Sequence, residues 1–308
     1  MKATLNAIAE ELRRLKTTGV DTVAVSESSL AALRKVVKAR GGAVPEGAAL
    51  VPDKPAVAAT SATSRSFAAG PARESKPKAQ PASTLPAPPS VSLPDGDKQV
   101  RWDALLTAVQ TDPVCTRSVQ PGKKVVLGVG SLEASIFFCG EAPGAEEEVQ
   151  GEPFVGPAGQ LLTKMIAGMG LKREDVYIGN IMNWRPRLPT VDGREQVGNR
   201  PPTSEEMAYC LPFLRAQLEI VNPAVIVALG STAAKGLLGA DSFKTLGEIR
   251  GRWHDFADKP VMVTYHPSYI LRNQSNRSKR AIWEDLLQVM ERTEMPISEK
   301  QRGYFAAR

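Results

Sequence analysis

With 308 residues and a formal net charge of +6, the chain is long enough for one full α/β domain plus appendages and favours a polyanionic partner. No run of about 20 apolar residues is present, which excludes a membrane-spanning helix. The amino terminus is charged and amphipathic, without the apolar stretch of a secretory signal.

Taken in order, Leu5, Ile8, Leu12 and Leu15 fall at helical spacing, as do Leu30, Leu33, Val36 and Val37. Residues 1–42 therefore read as a small helical appendage, which either holds a protein partner or packs on the main body. Residues 43–97 turn to Ala, Pro, Ser and Gly, a composition that cannot build a core and reads as a disordered linker. The main domain is expected over 98–295, with a tail over 296–308. It opens with a helix over 98–111. Four short apolar runs come next, over 135–139, 176–178, 225–229 and 261–265. They end respectively at Gly140-Glu141, Gly179-Asn180, Gly230-Ser231 and His266-Pro267. Helical patterns lie at 158–169, 204–221 and 232–238, while 243–253 reads as a loop or an extra strand. Strand–helix alternation of this kind predicts an α/β fold around a parallel sheet with right-handed crossovers.

Ligands of open parallel sheets bind beyond the carboxyl ends of the strands. Glu141, Asn180, Ser231 and His266 all stand at such ends, so one edge gathers a carboxylate, an amide, a hydroxyl and an imidazole. The loop from Gly140 to Gly156 adds backbone freedom, further carboxylates and one aromatic, Phe154, a mixture suited to a pocket. Three cysteines, Cys115, Cys139 and Cys210, are far apart and odd in number, which fits a reducing, cytoplasmic setting. Cys139 reads as core. Of the two histidines, His254 reads as structural, which leaves His266 for chemistry.

Four motifs in this order closely resemble family 4 uracil-DNA glycosylases: Gly140-Glu141-Ala142-Pro143-Gly144, Gly151-Glu152-Pro153-Phe154-Val155-Gly156, Tyr177-Ile178-Gly179-Asn180, and His266-Pro267-Ser268-Tyr269-Ile270-Leu271-Arg272. The resemblance covers roughly 112–290. It implies a three-layer sandwich with a central, mainly parallel four-stranded sheet, acting as a monomer on single- or double-stranded DNA that contains uracil. It implies hydrolysis of the uracil N-glycosidic bond after the base is flipped into a pocket. By that resemblance Phe154 stacks on the base, Asn180 reads its O4 and N3–H edge, and Ala142 lines the pocket. His266 donates to O2, Glu147 stabilises the sugar cation, and Glu141 helps polarise the water. Glu146 and Glu148 read as solvated charges. Tyr269, Ile270 and Leu271 form a wedge for the space left by the base, with Ser231, Ser268 and Arg272 on flanking phosphates. The basic run Arg277, Lys279 and Arg280, together with Arg185, Arg187, Arg200, Arg250 and Arg252, supplies further DNA candidates.

The family's iron–sulfur cluster needs four cysteines, and here only Cys115 and Cys210 come near ligand positions. Asp112 or Ser118 stands in for a partner of Cys115, and Trp184 occupies the third position. No metal or other cofactor is therefore expected, with Trp184 packed into the vacated space against Cys210 and Trp102. A covalent variant branch of the superfamily uses a histidine in the loop after the Asn motif, and the loop from Arg185 to Tyr209 has none. No motif offers a lysine for Schiff-base chemistry, so the expected enzyme is monofunctional. Two alternatives remain at this level: a non-turnover binder of damaged DNA, and a glycosylase for hypoxanthine or xanthine.

Overall fold

The computed structural model describes residues 85–188 and 198–306. The expectations for residues 1–42 and for most of the linker lie outside the described residues. The packed body begins by Leu85, ahead of the boundary expected at 98, because Leu85, Val91 and Leu93 are partly buried against the core. In chain order the elements are α1 (Lys98–Thr111), α2 (Pro113–Ser118), β1 (Val129–Gly130), β2 (Ile136–Gly140), α3 (Ala145–Gln150) and α4 (Pro157–Met169). After a 3-10 turn come β3 (Tyr177–Asn180), α5 (Ser204–Val221), β4 (Val225–Leu229), α6 (Ser231–Leu238) and α7 (Leu246–Ile249). The chain then forms β5 (Trp253–Phe256), β6 (Lys259–Thr264), α8 (Pro267–Arg272), α9 (Asn276–Arg292) and α10 (Glu299–Arg302).

The strands form one six-stranded sheet in the order β1-β3-β2-β4-β6-β5. Its centre, β3-β2-β4-β6, is the expected parallel four-stranded unit. Two antiparallel edge strands, β1 and β5, extend it. Every residue of β2, β3 and β4 is buried, as expected for parallel strands covered on both faces.

Alternation along the strands divides the core into two layers. Phe137, Cys139, Tyr177, Ile226 and Ala228 join Leu105, Cys115, Phe213 and Leu237 on one face. Ile136, Phe138, Ile178, Val225 and Val227 join Leu162, Ile166, Trp283 and Leu286 on the other. The sheet is thus the middle of a helix–sheet–helix sandwich. The chain leaves β2 toward β3 and leaves β4 toward β6, so the connections diverge between β2 and β4, the switch point where a ligand crevice opens. Among the described residues no helix is long and apolar enough to cross a membrane.

Candidate active site

The parallel register of β2 and β3 makes Gly140 and Asn180 neighbours at the end of their strands. Gly140 is required there. A Cβ at this position would lie 2.4 Å from Asn180 Oδ1 and 2.5 Å from the Phe154 ring. The amide and the ring therefore approach each other across a bare backbone. Asn180 is 6% exposed, and its Oδ1 is buried without a hydrogen-bond partner among the described residues. An orphan acceptor of this kind costs about 1–3 kcal/mol unless something fills it.

Phe154 has φ of 54°, the left-handed region that a bulky residue rarely adopts. Its neighbours hold it there. Glu147 Oε1 accepts from the N–H groups of Val155 (3.1 Å) and Gly156 (3.0 Å), directly after the phenylalanine. Arg173 Nη2 donates to Pro153 O, directly before it (2.5 Å). Glu147 Oε2 also accepts from Gly144 N at 3.0 Å, closing the capping box of α3. Glu147 thus fastens both ends of the loop that carries Phe154, while remaining on the wall of the cavity. Strain at a functional position persists only where the surroundings over-determine it, and here three backbone bonds do so.

His266 stands two residues past the end of β6 and caps α8. Its Nδ1 accepts from Ser268 N at 3.2 Å and lies 2.9 Å from Ser268 Oγ. An Nδ1 that accepts a backbone N–H carries no proton, so the neutral ring bears its proton on Nε2. Burial, reinforced by the Arg272 charge, pushes the imidazole pKa down from 6.5 to about 4, so the ring stays neutral near pH 7. The Phe154 and His266 rings are 5.6 Å apart between centroids. Gly230, with φ of 93°, lets the turn after β4 pass within 3.0 Å of the His266 Cβ from its own hypothetical Cβ. At the end of β6, two residues before His266, Thr264 donates to the buried Asp285 at 2.6 Å, and Arg250 pairs with the same carboxylate at 2.8 Å.

Ala142, Glu147, Phe154 and His266 line one cavity of about 270 Å³, joined by Asn199. Asn180 meets this group from the strand end, through the Phe154 ring. Glu141 is half-buried beside it and does not line the cavity. Ser231 is exposed at the start of α6.

Several expectations change. Ile270 belongs to the core at 6% exposure, because the helical turn of α8 rotates it toward α4. Tyr269 stacks on Tyr265 with centroids 4.4 Å apart. Of the wedge only Leu271, 41% exposed, stands free, next to the exposed Arg272. Ser268, expected on a phosphate, turns both its N–H and its hydroxyl to His266.

Glu148 is not a solvated charge. It is fully buried, with Arg185 at 3.1 Å, Arg187 at 2.8 Å and Lys123 at 3.7 Å. A buried carboxylate survives only with such partners, so Arg185 and Arg187 build the protein here. Arg185 also donates to Asn199 Oδ1 (2.9 Å), and Asn199 Nδ2 donates to Pro143 O (2.9 Å). The loop after β3 is thereby tied to the loop after β2. Asn199 escapes a reading of the sequence because it comes 19 residues after Asn180, on no regular element, with no periodicity to mark it.

The cluster positions do not fit iron–sulfur ligation. Asp112 caps α2 through Val114 N and Cys115 N and accepts from the Tyr209 hydroxyl at 2.9 Å. Trp184 meets Tyr209 edge-on at 6.2 Å. Trp102, expected beside Trp184, instead donates to the Tyr177 hydroxyl at 2.9 Å. Burial pushes the Cys115 and Cys210 thiols well up, and these are the only two cysteines near the ligand positions, whereas a cluster needs four thiolates. Purified protein is expected to contain no stoichiometric iron by elemental analysis, and a value near four per chain would overturn this reading.

Residues 127–287 match the family model of the uracil DNA glycosylase superfamily. The chain is 46% identical over 163 residues to a type-4 uracil-DNA glycosylase of Thermotoga maritima, covering 53% of this chain and 79% of that protein. It is 42% identical over 152 residues to a type-4 uracil-DNA glycosylase of Archaeoglobus fulgidus, covering 47% and 71%. A type-5 uracil-DNA glycosylase of Pyrobaculum aerophilum is 31% identical over 144 residues, covering 45% and 63%. With the strand-end site in place and the family model spanning more than half its length, the chain belongs to the uracil DNA glycosylase superfamily.

Proposed function

We propose that this chain is a monofunctional uracil-DNA glycosylase of the type-4 kind, working without an iron–sulfur cluster. The observation that carries the reading is the orphaned Asn180 Oδ1, buried beside the Phe154 ring, with a neutral His266 across the same cavity. An aromatic face, an amide and an N–H donor together match one planar base with polar edges.

The glycosidic bond is inaccessible within a stacked duplex, so the base leaves the helix and enters the cavity. It stacks on Phe154. Asn180 Oδ1 accepts from N3–H, and Nδ2 donates to O4. Cytosine reverses both polarities and leaves the buried amide unpaired, so it is rejected. As the bond breaks, negative charge gathers on the leaving base, and His266 Nε2–H donates to O2. A donor already oriented by Ser268 stabilises that charge more than it stabilises the ground state. The sugar acquires cationic character in turn. Glu147, held by three N–H groups, presents a fixed carboxylate toward it. Ala142 offers only a methyl group to the cavity, so positioning of the attacking water falls to Glu147, which lines it, while Glu141, off the cavity wall, helps to shape the loop. Ser231, Leu271 and Arg272 lie on the DNA side of the same edge.

The test is single-turnover incubation with oligonucleotides carrying one uracil, cytosine, hypoxanthine or xanthine, and then strand scission at abasic sites. Excision of uracil with cytosine untouched is the expected result. Tight binding without any base release would overturn it.

A further inference from the structure

Beyond the cavity, several cations of this basic chain are engaged by carboxylates of the protein itself. Arg185 and Arg187 surround Glu148, Arg200 pairs with Glu206, and Arg250 pairs with Asp285. By contrast, Lys164, Arg272, Arg277 and Lys279 are among the cations that form no ion pair among the described residues; Arg272 ends α8, Arg277 and Lys279 stand in the first turn of α9, and Lys164 and Lys279 rim one cleft. Unneutralised cations repel one another, so gathering them on one face is favourable only with an anionic partner.

The same face carries two of the four large apolar residues that are exposed among the described residues, Leu271 and Phe305. Phe305 is 44% exposed and is held outward with φ of 57°. It does not hang on a loose end. Trp283 Nε1 donates to Gln301 O at 2.6 Å, Arg280 Nη1 donates to Arg302 O and Tyr304 O, and Gln301 reaches Gly168 O at 3.0 Å. Trp283, Tyr304 and Phe305 form an aromatic series from core to surface, with centroid steps of 5.1 and 6.2 Å. Phe305 is the ridge between two hollows. On one side is a groove of about 980 Å³ bordered by Arg250, Arg277, Arg280 and the single acid Glu284, which Arg280 engages. On the other is an almost wholly apolar cleft of about 280 Å³ that reaches Ile270 and is rimmed by Lys164 and Lys279. A stacked ladder connects the groove to the wedge helix: Arg250 lies 5.0 Å over Tyr265, which stacks on Tyr269.

We infer that this face is a second nucleic-acid contact, which holds the single strand flanking the flipped nucleotide: its phosphates track along Arg272, Arg277 and Lys279, and one unpaired base stacks on Phe305. Basic grooves interleaved with exposed aromatics bind single strands in this way, because every base has a π-face and every linkage a charge. The inference rests on the proposed excision activity only for the direction of the strand, since Leu271 marks where it leaves the cavity.

The experiment compares the full chain with Phe305→Ala, Phe305→Trp and the double variant Arg277→Glu/Lys279→Glu. None of these residues belongs to the catalytic cavity. Fluorescence anisotropy measures binding to a uracil-free single strand, and single-turnover assays use uracil oligonucleotides trimmed stepwise on either side. Phe305→Ala should weaken strand binding about tenfold and Phe305→Trp should restore it. The charge reversal should weaken it further and make the log–log salt dependence shallower by about 0.7 for each phosphate that is no longer neutralised. The excision rate at saturation should stay within twofold for all variants, while the advantage of long over trimmed strands disappears. Unchanged strand binding in both Phe305→Ala and the reversal variant would overturn the inference, including the case in which a protein or vesicle binds this face instead. Wild-type binding without excision would count against the activity alone, because the anisotropy readout needs no uracil.

Discussion

Replacing His266 by Ala is expected to slow single-turnover uracil excision by about 10²–10³-fold while leaving substrate binding nearly unchanged. The reason is the timing of its hydrogen bond. Uracil O2 is a weak acceptor in the bound base and a strong one as the glycosidic electrons arrive. A donor fixed by Ser268 therefore acts mostly on the barrier. His266→Gln, which keeps an N–H donor on a more flexible stem, should recover part of the loss. The lowered imidazole pKa adds a signature that a purely structural histidine at the ordinary value would lack. With the folded-state value near 4 and the unfolded value at 6.5, the unfolded chain takes up the proton first as pH falls. This histidine therefore costs no stability above pH 6.5, and stability is lost as pH falls from 6.5 toward 4. Thermal unfolding of wild type should fall more steeply across that window than unfolding of His266→Gln. Excision by wild type should show no histidine titration at 6.5. An inflection there would mean that the ring works as imidazolium.

The second large effect is expected at Asn180. Removing the amide with Asn180→Ala leaves the uracil O4 and N3–H edge without partners in a buried site, and the expected loss is at least about 10²-fold in kcat/KM. The fold should tolerate this change, because the amide oxygen has no hydrogen-bond partner among the described residues to lose. Thermal stability close to wild type, alongside the lost activity, separates recognition from folding. Asn180→Asp is the more informative companion. An ionised carboxylate offers only acceptors, which suits the cytosine amino group and opposes uracil O4. Uracil excision should collapse, and cytosine release, absent in wild type, should become measurable on a cytosine-containing single strand. If Asn180→Asp excises uracil at the wild-type rate, the base is not read from this side.

The two assays probe opposite ends of one planar ligand. Phe154 between them is held by Glu147, whose oxygens are taken up by Gly144, Val155 and Gly156. A variant at Glu147 would therefore disturb the stacking platform and the sugar-facing charge together. For this reason His266 and Asn180, rather than the carboxylate, give the cleaner test of the proposed chemistry.

The sequence alone determined the parallel heart of the sheet and its reactive edge. Strands buried on both faces are mostly apolar, so short apolar runs mark β2, β3 and β4, and the residues just past each run stand at the ligand-binding end. Asn180 and His266 stood out as candidates for that reason, and Phe154 stood out from the glycine- and carboxylate-rich loop after β2. Only the tertiary structure decided the rest. β1 escaped notice because it has two residues, and the extra strand offered over 243–253 lies instead at Trp253–Phe256, where half-exposed positions need no apolar pattern. Ile270 read as a wedge until the turn of α8 directed it into the core and left Leu271 outside. The charged residues were the least legible. Whether a Glu is solvated or buried depends on cations that arrive from elsewhere in the chain, as Arg185 and Arg187 do for Glu148 across 37 and 39 residues. Local spacing carries no trace of such a meeting, and long-range packing alone decides which cations are consumed by the protein and which remain for DNA.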